Sequence, residues 1–201
     1  MMDRGKTIPV SMGKKIAYAA PAYALAVIGI PVYVYIPKFY TDVVGINVIL
    51  MGYILFSVRI FDAITDPAIG YLSDRTVTRF GRRRPYIALG SFFIAGAMFL
   101  LFNPPQATPS FETIWFGVFI YALFLFWTIV TVPYESLGPE ITFDYHERTT
   151  LFGIRDGFLI AGTLAAASSP ALIEWMFGLP STPSVSYTHL RAHETTASIS
   201  Y

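Results

Sequence analysis

Five long apolar runs separated by short polar segments constrain this chain more than anything else in it. The runs span about residues 16–36, 48–72, 86–102, 113–132 and 158–177. A bilayer core about 30 Å thick takes roughly 20 apolar residues as a helix, so each run is long enough to cross or nearly so. Continuous runs exclude a β-barrel, whose strands alternate apolar and polar residues over about ten positions. Composition agrees: 54% of the 201 residues are hydrophobic and only 13% are charged, about half the charge that a water-facing surface carries. Disorder, a coiled coil and a nucleic-acid-binding surface are excluded on that ground. With no cysteine, a disulfide framework and a thiolate metal site are excluded too. The expected fold class is all-α, a polytopic membrane helix bundle.

The polar segments alternate in charge. Arg4, Lys6, Lys14 and Lys15 precede the first run, Arg75, Arg79, Arg82, Arg83 and Arg84 fall between the second and third, and Arg148 and Arg155 between the fourth and fifth. The other connections hold only Lys38. The positive-inside rule then predicts a cytoplasmic N-terminus in a cytoplasmic-type, inner membrane. The first run is too long for a signal-peptide core and no small-residue cleavage site follows it, so it reads as a retained helix.

After residue 177 the pattern stops. A sixth spanning run is expected; residues 185–201 are instead polar and resemble the conceptual translation of a transposase-type sequencing-library adapter. They read as a non-native read-through tail, which would make residues 1–184 the membrane domain and the chain a fragment. His189 and His193, spaced like a metal pair, fall in that tail and carry no weight. The remaining His146 lies in a polar connection. No nucleophile–base pair or metal cluster sits at membrane depth, so no enzyme and no cofactor are expected.

The second run holds the informative charges. Arg59, Asp62 and Asp66 fall within an arc of about 60° on one helix face. Each ionised side chain at mid-membrane costs about 2.5–3.5 kcal/mol on the insertion scale, so the three must face protein or a watery cavity. Two carboxylates one turn apart both ionise only with a positive charge beside them. The set is a minimal site for a monovalent cation, Na⁺ or H⁺; the competing reading is an Arg–Asp pair that only locks packing. Gly52 and Gly70 share the face and would let a helix approach. On the fourth run Tyr121, Phe124, Thr128, Thr131 and Glu135 make one stripe, read as packing aromatics plus hydroxyls for a cation or polar solute. Pro133 is expected to break that helix, and Glu140 reads as an end-of-helix charge. Arg155 and Asp156 are expected at the start of the fifth span, within reach of the cavity. In the basic loop, Asp74 at a helix C-terminus is opposed by the dipole. It wants a cationic partner, as in a latch that holds one conformation.

Gly70-x-x-x-Asp74-Arg75…Gly81-Arg82-Arg83-Arg84 resembles the loop signature of the major facilitator superfamily. The five residues before Gly81, with Phe61-Asp62-Ala63-Ile64-Thr65-Asp66-Pro67, Phe39-Tyr40-Thr41-Asp42-Val43-Val44-Gly45 and Val132-Pro133-Tyr134, make the chain similar to the glycoside–pentoside–hexuronide:cation symporters, the melibiose-permease-like group. The resemblance implies the N-terminal half of a twelve-helix carrier, here five of its six helices, with the C-terminal half as partner and a small solute bound between the halves. It implies that Asp62 and Asp66 hold the coupling ion with Thr128, and Thr65 between the acids, where the sugar permeases often carry an amide, leaves Na⁺ and H⁺ both open. Arg155 matches a helix-five arginine near the family's solute cavity; Arg59, Tyr121, Thr131 and Glu135 are candidate cavity residues beside it, Glu135 standing where those permeases have an aromatic, and Gly70, Asp74, Arg75, Gly81 and Arg82 are the candidate latch. The two acids that bind galactosides in those permeases align with Ala26 and Thr131, so a galactoside is not supported. A different sugar, a glucuronide or a non-sugar amphiphile fits, and the alternative is a non-transporting membrane receptor or assembly subunit on the same fold.

Overall fold

The computed structural model describes residues 10–79 and 81–177. The expected tail falls outside them. Every regular element among the described residues is helical. Among the described residues five helices are long and apolar enough to span a membrane: α1 (Met12–Val44), α2 (Val48–Arg75), α3 (Arg84–Phe102), α4 (Pro109–Ile141) and α5 (Tyr145–Phe177). The chain is a multi-pass membrane protein.

Helix ends follow local chemistry. The Asn47 side chain accepts hydrogen bonds from the Ile49 and Leu50 amides and opens α2, and Thr108 accepts from Phe111 N before Pro109 at the start of α4. Such oxygens satisfy amides that a helix start leaves unpaired. Gly45, at φ 86°, closes α1 while Ile46 N returns to Tyr40 O at 2.9 Å; only a residue free to take positive φ makes that turn cheaply.

Three expectations of extent are corrected. First, α1 does not stop at residue 36. Past Ile30 it takes π-helical geometry over Pro31–Tyr35, where Ile36 N donates to Pro31 O, and again over Tyr40–Val44, where Gly45 N donates to Tyr40 O. Second, Pro133 does not break α4, which runs on to Ile141 with Pro133 and Pro139 inside it. Pro133 is fully buried, and packing around it holds the helix through the one lost hydrogen bond. Third, α5 begins at Tyr145, so Arg155 and Asp156 lie about three turns inside it.

The chain order gives alternating directions, and the packing obeys it. α2 and α4 run parallel, meeting at Ser57–Tyr121 and Asp66–Thr128. α1 and α5 run parallel to each other, and α3 backs α4 antiparallel, with Trp115 Nε1 donating to Leu100 O at 3.0 Å. Close approach is made by glycine. A Cβ on Gly162 would lie 2.5 Å from Tyr23 O, and one on Gly90 would lie 2.5 Å from Val130; small residues are what let membrane helices touch. Gly52 has no neighbour within 4 Å of a Cβ, so its expected packing role is not met among the described residues, whereas Gly70 meets Val132 at 3.6 Å. One buried cluster centres on Tyr40, Phe116, Ile120 and Leu123, and a second on Tyr18, Ala22, Tyr134 and Leu151. Ile49, Phe56, Ile60 and Ile64 of α2 and Phe92 and Phe99 of α3 stay exposed, as a bilayer-facing surface requires.

Candidate functional site

Between the α1–α5 pair and the α2–α4 pair lies a cavity of about 470 Å³. α1 gives it a small-residue wall, Ala22, Ala26 and Gly29, ending at Tyr33. α2 presents Arg59, Asp62 and Asp66, α4 presents Phe124, Trp127, Thr128, Thr131 and Glu135, and α5 presents Arg155 and Thr163. The 60° arc on α2 thus faces the cavity.

The acids are held differently. Asp66 Oδ1 accepts from Thr128 Oγ1 at 2.9 Å, and Thr128 is itself buried. Asp62 Oδ2 meets Arg59 Nη1 at 3.1 Å, while its Oδ1 is buried with no hydrogen-bond partner among the described residues. The Arg59 guanidinium sits 4.6 Å from the Phe124 ring centroid and 5.1 Å from that of Tyr33, close enough for cation–π attraction. Among the described residues no group of three or more His, Cys, Asp or Glu gathers as a metal site. Two carboxylates against one guanidinium leave a deficit of one positive charge, which suits a monovalent ion.

Two expected site residues lie elsewhere. Thr65 turns its hydroxyl back onto Phe61 O at 3.1 Å, because its place on α2 is about 60° around from Asp62, away from Asp66. Tyr121 donates to Ser57 Oγ at 2.7 Å and stacks edge-on against Phe61. It shares a face with Thr128 but sits about 10 Å further along α4, where α2 covers that face. Glu135, Thr131 and Arg155 do line the cavity. Arg155 gives both Nε and Nη2 to Asp156 Oδ1, at 3.0 and 2.8 Å.

The charged ends of α1 to α5 gather at one end of the bundle. Arg83, with only 7% of its side chain exposed, bridges Asp74 at 2.7 Å and Glu140 at 3.0 Å. Arg82 also meets Glu140, at 2.9 Å. Asp74 therefore finds its cation in Arg83; Arg75 instead lies 4.0 Å from the ring centroid of Tyr71. Glu140 is not merely an end-of-helix charge, since it ties α4 to the loop before α3. Gly81, at φ 99°, turns that loop. Lys15 and Glu147 form a further, largely buried pair at 2.8 Å joining α1 to α5. Sequence reasoning missed Arg83, Tyr33 and Trp127. Ala22, Ala26, Gly29 and Tyr33 recur at i, i+4, i+7 and i+11, and that stripe was the available signal for Tyr33.

The sequence profile described as MFS/sugar transport protein matches residues 17–198. The chain belongs to the major facilitator superfamily, in its glycoside–pentoside–hexuronide:cation symporter family. Its five helices are those of an N-terminal major-facilitator half. It is 37% identical over 196 residues to the uncharacterized symporter sll1374 of Synechocystis sp., covering 92% of this chain and 35% of that protein. It is 33% identical over 132 residues to the isoprimeverose transporter of Lactiplantibacillus pentosus, covering 66% of this chain and 27% of that one. It is 28% identical over 172 residues to the sodium-dependent lysophosphatidylcholine symporter 1-B of Danio rerio, covering 85% and 33%. The chain thus spans about a third of the length of these curated relatives.

Proposed function

We propose that this chain is the N-terminal part of a cation-coupled secondary transporter, with Asp62, Asp66 and Thr128 holding Na⁺ or H⁺ and the adjoining cavity holding the solute. The observation that carries the reading is that both α2 acids open into one cavity beside Thr128, Arg59, Glu135 and Arg155. Two carboxylates and Arg59 sum to one negative charge, and a bound monovalent cation brings the set to neutrality. That lowers the electrostatic cost of closing the loaded cavity away from water. Arg155, Thr131 and Glu135 supply donors and acceptors for a polar solute, and Trp127 a flat apolar surface.

The solute in this reading is a sugar or glycoside-like compound, as the isoprimeverose relative suggests. An amphiphile is the second reading, favoured by the alignment to a lysophosphatidylcholine symporter over 85% of this chain. The end of the bundle bearing Lys15, Asp74, residues 82–84 and Glu140 faces the cytoplasm by the positive-inside rule, in an inner-type membrane. Asp156 supports a further half-bundle as partner. Its side chain is 56% exposed, yet it lies along α5 between Phe152, which rests on Tyr18, and Gly162, which rests on Tyr23. That is the depth of the cavity wall, where a carboxylate needs protein cover rather than lipid.

The test is uptake by the complete carrier in proteoliposomes, driven by an imposed Na⁺ or H⁺ gradient, with a panel of labelled glycosides and lysolipids. Uphill accumulation of one of them, lost in Asp66→Asn with the protein still inserted, supports the reading. Undiminished gradient-driven accumulation in that variant rejects it.

A further inference from the structure

Arg59 has a place in the site that neutralising charge alone does not require. Its guanidinium meets the Asp62 carboxylate of its own helix at 3.1 Å. At the same time it lies 5.1 Å from the Tyr33 ring of α1 and 4.6 Å from the Phe124 ring of α4. Those two rings pack edge-to-face on each other at 6.0 Å, so the guanidinium has contacts from three helices. Phe124 is buried, whereas 49% of the Arg59 side chain is exposed toward the cavity. The guanidinium is therefore contacted from three helices while about half of the side chain stays exposed beside the cavity. Asp62, by contrast, has only 17% of its side chain exposed and a second oxygen with no hydrogen-bond partner among the described residues. A cation that reaches this acid finds one face already taken.

Resting on the cation-coupled reading above, we propose that Arg59 is a tethered counter-cation: the Tyr33 and Phe124 rings hold its guanidinium on Asp62, and a coupling cation takes the acid pair by displacing it. Asp62 is then neutralised both before and after the ion arrives, by a charge that stays with the protein in the first case and one that travels in the second. Apparent cation affinity is the intrinsic affinity reduced by the fraction of carriers in which Asp62 is free. Arg59 is a positioning residue on this account, and it sets the cation concentration at which the carrier loads. Removing a contact ordinarily weakens a site; here, removing the tether tightens it.

The experiment measures equilibrium binding of ²²Na⁺ at fixed pH, and proton uptake in Na⁺-free buffer, by the purified complete carrier. Arg59→Gln is expected to bind the coupling cation about tenfold more tightly, read as a lower half-saturating Na⁺ or a proton midpoint about one pH unit higher. Arg59→Lys, which keeps the charge but loses the planar stacking group, is expected between that variant and wild type. Tyr33→Leu changes no charge and loosens the clamp, and it is expected to tighten binding about two- to fivefold. This arm separates displacement from simple loss of a nearby positive charge, and a gain of affinity is not a symptom of misfolding. Saturable binding in wild type that is unchanged or weakened in both Arg59→Gln and Tyr33→Leu overturns the proposal while leaving cation coupling intact. Tightening in Arg59→Gln alone also overturns it, in favour of through-space attraction. No saturable Na⁺ or proton binding in wild type defeats the cation-coupled reading itself, and the proposal with it.

Discussion

Gly162 is where the fold and the cavity are most directly joined. A Cβ there would lie 2.5 Å from Tyr23 O, 3.0 Å from Ala26 Cβ and 3.1 Å from Tyr23 Cα. Two of the three are backbone atoms, so no side chain can turn aside to make room. Gly162→Ala must push α1 and α5 apart by roughly 0.9 Å to restore ordinary contact, and overpacking of this kind costs about 1–3 kcal/mol. Alanine returns up to about 1 kcal/mol in helix propensity, leaving a net loss of up to about 2 kcal/mol. Because Ala22, Leu25 and Ala26 of α1 wall the cavity, the same displacement also widens the site. Gly157, on the same helix, has no neighbour among the described residues within 4 Å of a Cβ, so Gly157→Ala is expected to be neutral or slightly stabilising. Thermal unfolding of the complete carrier in detergent checks both: Gly162→Ala should lower Tm by several degrees and Gly157→Ala should not. Equal Tm values for the two variants would refute the close α1–α5 approach.

Thr128→Val keeps the shape of a buried side chain but removes the hydroxyl that donates to Asp66. That hydroxyl oxygen is also the neutral ligand proposed beside Asp66, and without it cation binding should weaken about tenfold, with Thr128→Ser close to wild type. Tyr121→Phe removes only the bond to Ser57; it should cost about 1 kcal/mol of stability and leave solute affinity unchanged, as a transport assay across solute concentrations would show. Arg83→Gln leaves Asp74 and Glu140 without their shared cation. Amide hydrogen exchange at the start of α3 should quicken, whereas Arg75→Gln, whose guanidinium lies over the Tyr71 ring, should leave that exchange as it is.

The acid pair was legible in the sequence because a charge inside an apolar run is costly wherever it is not used, and Asp62 and Asp66 fall on one face whatever the exact ends of α2. Depth along a face was not legible in the same way. Tyr121 and Thr128 share a stripe, yet one meets α2 and the other meets the cavity, and only the tilt of neighbouring helices decides which. Thr65 shows a further limit: its spacing beside Asp66 is suggestive, but a threonine hydroxyl can bond its own helix backbone instead. In the basic loop the arginines are equivalent as letters. That Arg83 is the one buried, and that Glu140, 57 positions away, completes its pairing, depends on how α4 continues past Pro133. The apolar-run criterion ended that helix at residue 132, since it registers the stretch that needs lipid and not the helical turns beyond it.

Direct binding of the coupling ion by Asp62 and Asp66 is the claim on which the account turns. Calorimetric titration of the purified complete carrier with Na⁺, and with acid in Na⁺-free buffer, measures it without knowledge of the solute. The account predicts one saturable cation per carrier in wild type, absent in Asp66→Asn and in Asp62→Asn. Equal binding in wild type and both variants would contradict it.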